Sequence, residues 1–231
     1  IHTYGVVKQA EELAGRMHLS AEDTDLARLI ALLHDIGRFE QLKRYDSFEP
    51  GTMDHAAYGV KVLFDEGMIR RFLPEDKWDS IIYTAIAHHS DYELPEISDP
   101  QTLLHAKLIR DEDKLDNCRV KLVDSTSTFI NVSEEELGTQ NITQKVYETV
   151  FENKCILSAD RVTQMDYWVS YIVYFFDINF KESFDIIAEN DYLNRIIDRI
   201  PYSNPVTKEQ MENIRVYMQN FINSHTNNQS F

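Results

Sequence analysis

The chain has 231 residues, of which 39 are acidic and 23 basic, so its formal net charge is −16. A charge this negative argues against nonspecific binding to a nucleic-acid backbone or to an anionic membrane, because both would repel the chain at long range. The aromatic content of 11% argues against disorder, and two cysteines cannot form a disulfide framework.

The cysteines also indicate a cellular compartment. Cys118 and Cys155 are isolated and have no C-x-x-C spacing, which suits a reducing environment, so we expect a cytoplasmic protein. No signal-peptide pattern is visible, and the longest apolar run, 167–176, is too short to span a bilayer. The chain opens at Ile1 without an initiator methionine, so residues can be missing upstream. We expect no membrane partner and no nucleic-acid polymer.

Apolar residues recur at helical spacing along nearly the whole chain, which predicts an all-α fold. In the first half, helices are predicted over 21–34, 53–64, 76–88 and 102–118. Ser20 and Asp23 resemble a capping box at the start of the first of these helices. Loops are predicted over 46–52 and 94–100, where prolines interrupt the periodicity.

The second half has no chemical motif of its own. Its acidic stretch 133–143 marks either a junction or a helix start within one continuous domain. We predict a helical core over 1–125 and a helical extension over 126–231 packed on it, with one continuous domain as the alternative. The aromatic segment 167–176 is predicted to be core, with a dimer face or a substrate-selecting wall as alternatives, so a homo-oligomer stays open. Further helices are predicted over 191–200 and 208–224, before a polar tail.

Histidines and acidic residues recur through the first half in an order that suits a metal site. In chain order they are His2, His34-Asp35, His55, His88-His89 and the charged run 110–116. Neutral imidazoles and ionised carboxylates bind divalent metal ions. Asp35 ends a nearly unbroken apolar helix, and burial of an uncompensated carboxylate is costly. A metal ion or an arginine is therefore expected to neutralise it.

This pattern resembles the HD-domain superfamily of metal-dependent phosphohydrolases over residues 2–117. His34-Asp35-Ile36-Gly37-Arg38 is similar to the His-Asp-x-Gly-Lys/Arg motif, and His55-x-x-x-Gly59 to the histidine-plus-glycine element that follows it. Glu112-Asp113-Lys114-Leu115-Asp116 is similar to the closing Ala-Asp-x-Leu-Asp element, although Glu112 replaces the usual small residue. The resemblance implies an HD-type helical bundle.

The resemblance also implies a ligand set. The primary metal site would consist of His2, His34, Asp35 and Asp113. Asp113 is preferred over Asp111 and Asp116 by its place in the closing element. The extra histidines, His55, His88 and His89, would hold a second metal ion. If one ion binds, these histidines would instead contact the phosphate or protonate the leaving group.

The implied activity is that of a phosphomonoesterase or phosphodiesterase acting on a nucleotide or another small phosphorylated metabolite through metal-activated water. One or two divalent ions of Mn, Mg, Fe, Co, Ni or Zn are implied, with His34, Asp35 and His89 as catalytic residues. Arg38 and Lys114 would bind the phosphate, or else pair with surface carboxylates. The alternatives are an inactive ligand-sensing or scaffold protein and a diiron oxygenase-type relative.

Overall fold

A computed structural model describes residues 2–47 and 52–226. These residues form helices and contain no β-strand, which confirms the predicted all-α fold. The chain divides into two compact units, residues 1–113 and 114–231. This division falls within one long helix, and the predicted boundary after residue 125 falls just beyond the end of that helix; the boundary stays a prediction.

Among its described residues, the first unit contains five complete α-helices and the start of a sixth. They are α1 (His2–Arg16), α2 (Ala21–Leu33), α3 (Arg38–Tyr45), α4 (His55–Val60), α5 (Asp79–Ala87) and α6 (Pro100–Val123), which continues into the second unit. A π-helical turn (Lys61–Asp65) and a 3-10 helix (Met68–Arg71) lie between α4 and α5.

Local signals explain where most of these helices begin. The Ser20 hydroxyl accepts a hydrogen bond from the Asp23 backbone N–H at 3.0 Å, which confirms the predicted start of α2. Asp54 caps α4 in the same way through Ala57 N–H at 2.9 Å. Pro100 occupies the first position of α6, where its missing N–H costs nothing, and the Asp99 carboxylate caps Thr102 N–H at 2.8 Å.

The core of the first unit lies where the apolar faces of its helices meet. α1 packs along α2, and α5 packs against both α2 and α4. Val6, Leu13, Ile30, Ile82 and Ile86 are fully or almost fully buried there. Since α2 and α5 both end at this core, the residues that directly follow these two helices lie next to buried apolar side chains.

Among the helices predicted in the first half of the chain, three have inexact bounds. α4 begins at His55 and gives way to the π-helical turn at Lys61, α5 begins at Asp79 rather than 76, and α6 runs on to Val123. The long α6 has a physical reason, because no proline or glycine interrupts the chain between its first residue and Val123.

The second unit is built from shorter helices and one long C-terminal helix. They are α7 (Thr126–Ile130), α8 (Glu134–Leu137), α9 (Gln144–Val150), α10 (Gln164–Val173), α11 (Lys181–Glu189), α12 (Tyr192–Asp198) and α13 (Pro205–Thr226), with 3-10 helices at Ser158–Asp160 and Tyr174–Asp177. Trp168, Ile172 and Phe175 are buried, so the core interpretation of 167–176 is confirmed for these side chains.

Residues 48–51 of the predicted loop over 46–52, Ile1, and residues 227–231, which include the end of the predicted polar tail, lie outside the described residues. Among the helices that are described, none combines the length and the apolar character that a bilayer crossing requires.

Candidate metal centre

His34 follows the last residue of α2 and is 0% exposed. Its Nδ1 lies 2.8 Å from the Ala31 carbonyl oxygen, which assigns the ring proton to Nδ1 and the lone pair to Nε2. Within the described part of the chain, the buried Nε2 has no hydrogen-bond partner. Burial lowers the pKa of His34 and the carboxylates of Asp35 and Asp113 offset this only in part, so its neutral, metal-binding form is favoured.

His89 repeats this arrangement just after the end of α5. Its Nδ1 lies 2.7 Å from the Ile86 carbonyl oxygen, again three residues back, so its Nε2 also carries the lone pair. That Nε2 lies 3.1 Å from Nε2 of His55, the first residue of α4. Burial, together with the charges of Arg38 and His89, lowers the pKa of His55 to about 4. The imidazole of His55 is therefore also favoured in its neutral form.

Asp35 lies among these three imidazoles. Its Oδ2 is 3.6 Å from His34 Nε2, and its Oδ1 is 3.3 Å from His55 Nε2 and 3.7 Å from His89 Nε2. Burial alone would raise the pKa of Asp35, but the imidazoles of His34 and His89 and the guanidinium of Arg38 outweigh it and hold this pKa well below its usual range. The carboxylate is therefore ionised and available as a ligand.

His2 and Asp113 complete the group from α1 and α6. His2 Nε2 lies 2.9 Å from Asp113 Oδ1, and His34 Nε2 lies 3.9 Å from the same oxygen. Burial would raise the pKa of Asp113, but the hydrogen bond and charge of His2 and the nearby His34 lower it below its usual range. We refer to these residues together as the candidate centre: His2, His34, Asp35, His55, His89 and Asp113.

The candidate centre contains two groups of three residues that could each hold an ion. They are His2, His34 and Asp113, and His34, Asp35 and His89, whose ligand atoms lie within 4.8 Å of one another in each group. Ligands about 2.0 to 2.2 Å from a metal ion lie about 3 to 3.5 Å apart, which is close to the observed N–O separations. The buried Nε2 of His34 belongs to both groups, and a metal ion would bind its lone pair, which has no hydrogen-bond partner among the described residues. These residues fit a divalent metal ion.

Two glycines lie where the loop after α2 meets α4, and Gly37 makes their close contact possible. A Cβ on Gly37 would lie 2.0 Å from the His55 carbonyl oxygen and 2.9 Å from Gly59 N, so the loop after α2 touches the backbone of α4. A Cβ on Gly59 would be 3.4 Å from the Ile36 side chain. The lack of a side chain at Gly37 therefore lets the loop that follows Asp35 lie against the start of α4, next to His55.

Arg38 lies at the edge of the candidate centre and is partly exposed. Its Nε donates to Asp35 Oδ1 at 3.2 Å, so an arginine does partner this carboxylate. Its Nη1 donates to Gln41 Oε1 at 3.1 Å, and Gln41 Nε2 donates to Thr52 Oγ1 at 2.8 Å. The buried Gln41 was missed in the sequence, where its only signal is its place three residues after Arg38 on α3.

The remaining residues of the predicted pattern include some with partners of their own. His88 Nδ1 is 2.6 Å from Asp91 Oδ2, and His88 belongs to neither group of potential ligands. In the second unit, Lys114 Nζ lies 2.7 Å from Asp177 Oδ2, and Asp116 accepts two hydrogen bonds from Arg119 at 2.6 and 3.0 Å. Asp111 is buried and is likewise absent from both groups formed by the described residues. The roles of His88 and Lys114 stay predictions.

Glu112, the residue that departs from the expected motif, is completely buried. Neither of its carboxyl oxygens has a hydrogen-bond partner in the part of the chain that the structure describes. Burial, together with the carboxylates of Asp111 and Asp113, raises the pKa of Glu112 well above its usual range. Glu112 is therefore favoured as a neutral acid.

The HD domain family model matches residues 1–118, slightly more than half of the chain. The matched region contains every residue of the candidate centre. Neither the curated proteins nor the solved structures include a significant match to the chain.

Proposed function

Because this chain belongs to the HD domain family, a family of metal-dependent phosphohydrolases, we propose that it hydrolyses a phosphoester bond with one or two divalent metal ions. The observation that carries this proposal is the convergence of three imidazole Nε2 atoms, from His34, His55 and His89, on the ionised carboxylate of Asp35. We propose a nucleotide or another small phosphorylated metabolite of the cytoplasm as the substrate.

The two groups of potential ligands suggest how the ions would be held. His2, His34 and Asp113 would bind one ion, and Asp35 and His89 would bind a second, with His55 beside them. A divalent ion bound in such a site supplies hydroxide near neutral pH and neutralises charge on phosphoryl oxygens. The imidazoles of His34 and His89, each anchored to a backbone carbonyl oxygen, and the carboxylates of Asp35 and Asp113 would hold the ions in place.

A phosphate substrate must bind to a chain whose formal charge is −16. Long-range attraction is unavailable, so positive charge must be local. Arg38 would supply it, because its guanidinium lies beside Asp35 and is partly exposed. Gln41 accepts a hydrogen bond from Nη1 of Arg38 and would orient the guanidinium toward a phosphate oxygen.

The proposal is tested by metal analysis of the purified protein together with hydrolysis assays on phosphomonoesters and phosphodiesters, with Mn²⁺, Mg²⁺, Co²⁺, Ni²⁺, Zn²⁺ or Fe²⁺. We expect bound metal and turnover of at least one phosphoester class. Asp35→Asn should lose both. Asp46→Asn is the matched control, since it removes one negative charge from an exposed residue at the end of α3, where its left-handed backbone (φ 48°) also suits asparagine.

Three outcomes would contradict the proposal. Metal binding without hydrolysis of any phosphoester would favour an inactive ligand-sensing or scaffold protein. Oxygen consumption by the ferrous protein would favour an oxygenase. Full phosphoester turnover by Asp35→Asn would show that the activity does not use the candidate centre.

A further inference from the structure

Arg110 is a buried arginine on α6 whose guanidinium contacts backbone carbonyl groups. Only 1% of its surface is exposed. Its Nη1 donates to the carbonyl oxygens of Asp91 at 2.7 Å, His88 at 2.9 Å and His89 at 3.4 Å, and its Nη2 donates to that of Tyr92 at 3.5 Å. One guanidinium group thus contacts four carbonyl groups within five consecutive residues.

These carbonyl groups belong to a turn that has few backbone hydrogen bonds of its own. α5 ends at Ala87, and His88 leaves the helical conformation with φ −112° and ψ 8°. Two backbone hydrogen bonds are described there: His88 N–H to Thr84 O at 3.2 Å, and Asp91 N–H to His88 O at 3.4 Å. A cation at the carboxyl end of a helix is electrostatically favoured, and Arg110 supplies one from another helix.

The same turn carries His89. The ring of His89 is oriented by its Nδ1 hydrogen bond to Ile86 O, and its Nε2 faces His55 and Asp35. The side-chain hydrogen bond sets the rotation of the ring, whereas the backbone of residues 88–92 sets where the ring stands. Ligands of a metal ion must be placed to within a few tenths of an ångström, so the position of this turn matters for binding.

We propose that Arg110 is a positioning residue of the candidate centre: by holding the carbonyl groups of residues 88–92, it sets the position of His89 Nε2 beside Asp35 and His55. The inference rests on the metal site proposed above. The planar guanidinium presents several donors in a rigid fork, so it can contact several carbonyl oxygens at once, whereas the ammonium group of lysine is a single point of donation. Arg110→Lys therefore keeps the positive charge and removes the rigid fork of donors.

The test measures Co²⁺ affinity by calorimetry and the unfolding of the metal-free protein by urea. Arg110→Lys should weaken Co²⁺ binding about 10- to 100-fold, the range found when partners that orient metal ligands are removed. Arg110→Gln keeps hydrogen-bond donors without the buried charge and should also weaken Co²⁺ binding. It replaces Arg110→Lys in the test if the lysine variant does not fold.

The second unit offers a matched control in Arg199. It also donates to backbone carbonyl oxygens near a helix end, those of Lys121 and, at 2.6 Å, Asp124. Arg199→Lys should lower the stability of the protein but leave the Co²⁺ affinity within about twofold, since the ligands of the candidate centre are untouched.

A double-mutant cycle separates positioning from general destabilisation. If Arg110 acts through His89, then Arg110→Lys should have no further effect on Co²⁺ affinity once His89 is alanine. The inference is overturned if Arg110→Lys binds Co²⁺ as tightly as the wild type, or if its full effect persists in His89→Ala. Failure of the wild type to bind Co²⁺ would instead overturn the proposed metal site. That result is distinguishable from failure of the Arg110 inference, because it is seen in the wild type before any variant is compared.

Discussion

His2 Nε2 lies 2.9 Å from Asp113 Oδ1, so the first described residue of the chain contacts the last residue of the first compact unit. This contact joins the start of α1 to the middle of α6. It also brings His34 into reach, because the Nε2 of His34 lies 3.9 Å from the same carboxylate oxygen. One carboxylate therefore links two imidazoles from separate helices.

Replacing Asp113 with asparagine should weaken metal binding more than about 100-fold, since even the loss of groups that only orient ligands costs about 10- to 100-fold. The substitution keeps the size of the side chain and removes the charge. Calorimetric titration with Mn²⁺ or Co²⁺ measures the change.

Asp116→Asn is the control for this substitution, because the Asp116 carboxylate accepts hydrogen bonds from Arg119. It should retain the metal affinity of the wild type. If Asp116→Asn lost metal and Asp113→Asn kept it, the ligand of the closing acidic element would be Asp116 and not Asp113.

Gly37→Ala should destabilise the protein by about 3 kcal/mol or more, because its Cβ would meet the His55 carbonyl oxygen, which cannot move without moving α4. Gly15→Ala is the matched control. A Cβ there meets nothing within 4 Å, and alanine in a helix is favoured over glycine by about 0.5 to 1 kcal/mol. Urea unfolding of both variants checks the prediction, and equal stability of the two would refute the close backbone contact.

Local chemistry made part of this structure predictable. The start of α2 follows from the hydroxyl of Ser20. The order of the candidate ligands was instead implied by the resemblance of motif residues such as His34, Asp35 and Gly37 to a known family. The resemblance favoured His89 over His88 as a catalytic residue, but the physical basis of that distinction was not predictable from the sequence, since both follow the same apolar helix. It depends on the turn after α5, which directs His89 toward Asp35 and His88 toward Asp91.

The contributions of Gln41 and Arg110 were hidden for the same reason. Each depends on a hydrogen bond to a group that is distant in sequence: Thr52 holds the Gln41 side chain that contacts Arg38, and Arg110 acts through the carbonyl groups after α5. Neither residue forms part of a recognisable spacing, and a buried polar side chain leaves no periodic signal. Such roles become visible only when the helices are packed.

The stability of the metal-free protein should decrease as the pH falls below 6.5, in part because of His105 on α6. This residue is fully buried, and its Nε2 lies 3.2 Å from Asp23 Oδ1. Burial lowers the pKa of His105 below 6.5, and the Asp23 carboxylate offsets this only in part. Below 6.5 the unfolded chain therefore binds a proton that the folded chain resists, which favours unfolding.

His105→Gln keeps an amide donor for Asp23 but cannot titrate. Its stability relative to the wild type should rise as the pH is lowered from about 7 to about 5, since other histidines contribute equally to both proteins. Urea unfolding at the two pH values, with a chelator present, measures this difference. A relative stability that stays constant or falls on acidification would show that His105 does not contribute in this window.

Glu112→Met should stabilise the protein by about 1 to 3 kcal/mol, because it removes two buried carboxyl oxygens that have no partner among the described residues and keeps a similar volume. Glu112→Gln should have a smaller effect, since it keeps polar atoms in the same place. Thermal unfolding gives the stability, and Co²⁺ titration gives the metal affinity, which we expect to stay within about threefold of the wild type. Loss of both properties in Glu112→Met would instead identify Glu112 as a ligand.

Arg38 and Lys114 are the two cations predicted to bind phosphate, and their surroundings predict unequal effects. Arg38 lies beside Asp35 in the candidate centre, whereas Lys114 is engaged by Asp177 at 2.7 Å. A charge-assisted hydrogen bond contributes about 1.5 to 3 kcal/mol, so Arg38→Met should raise the inhibition constant of inorganic phosphate about 10- to 100-fold. Lys114→Met should raise it less than about threefold, because a largely buried ion pair with Asp177 already holds that amine. The measurement is competitive inhibition of the Mn²⁺-loaded protein, and a larger effect of Lys114→Met than of Arg38→Met would reverse the two assignments.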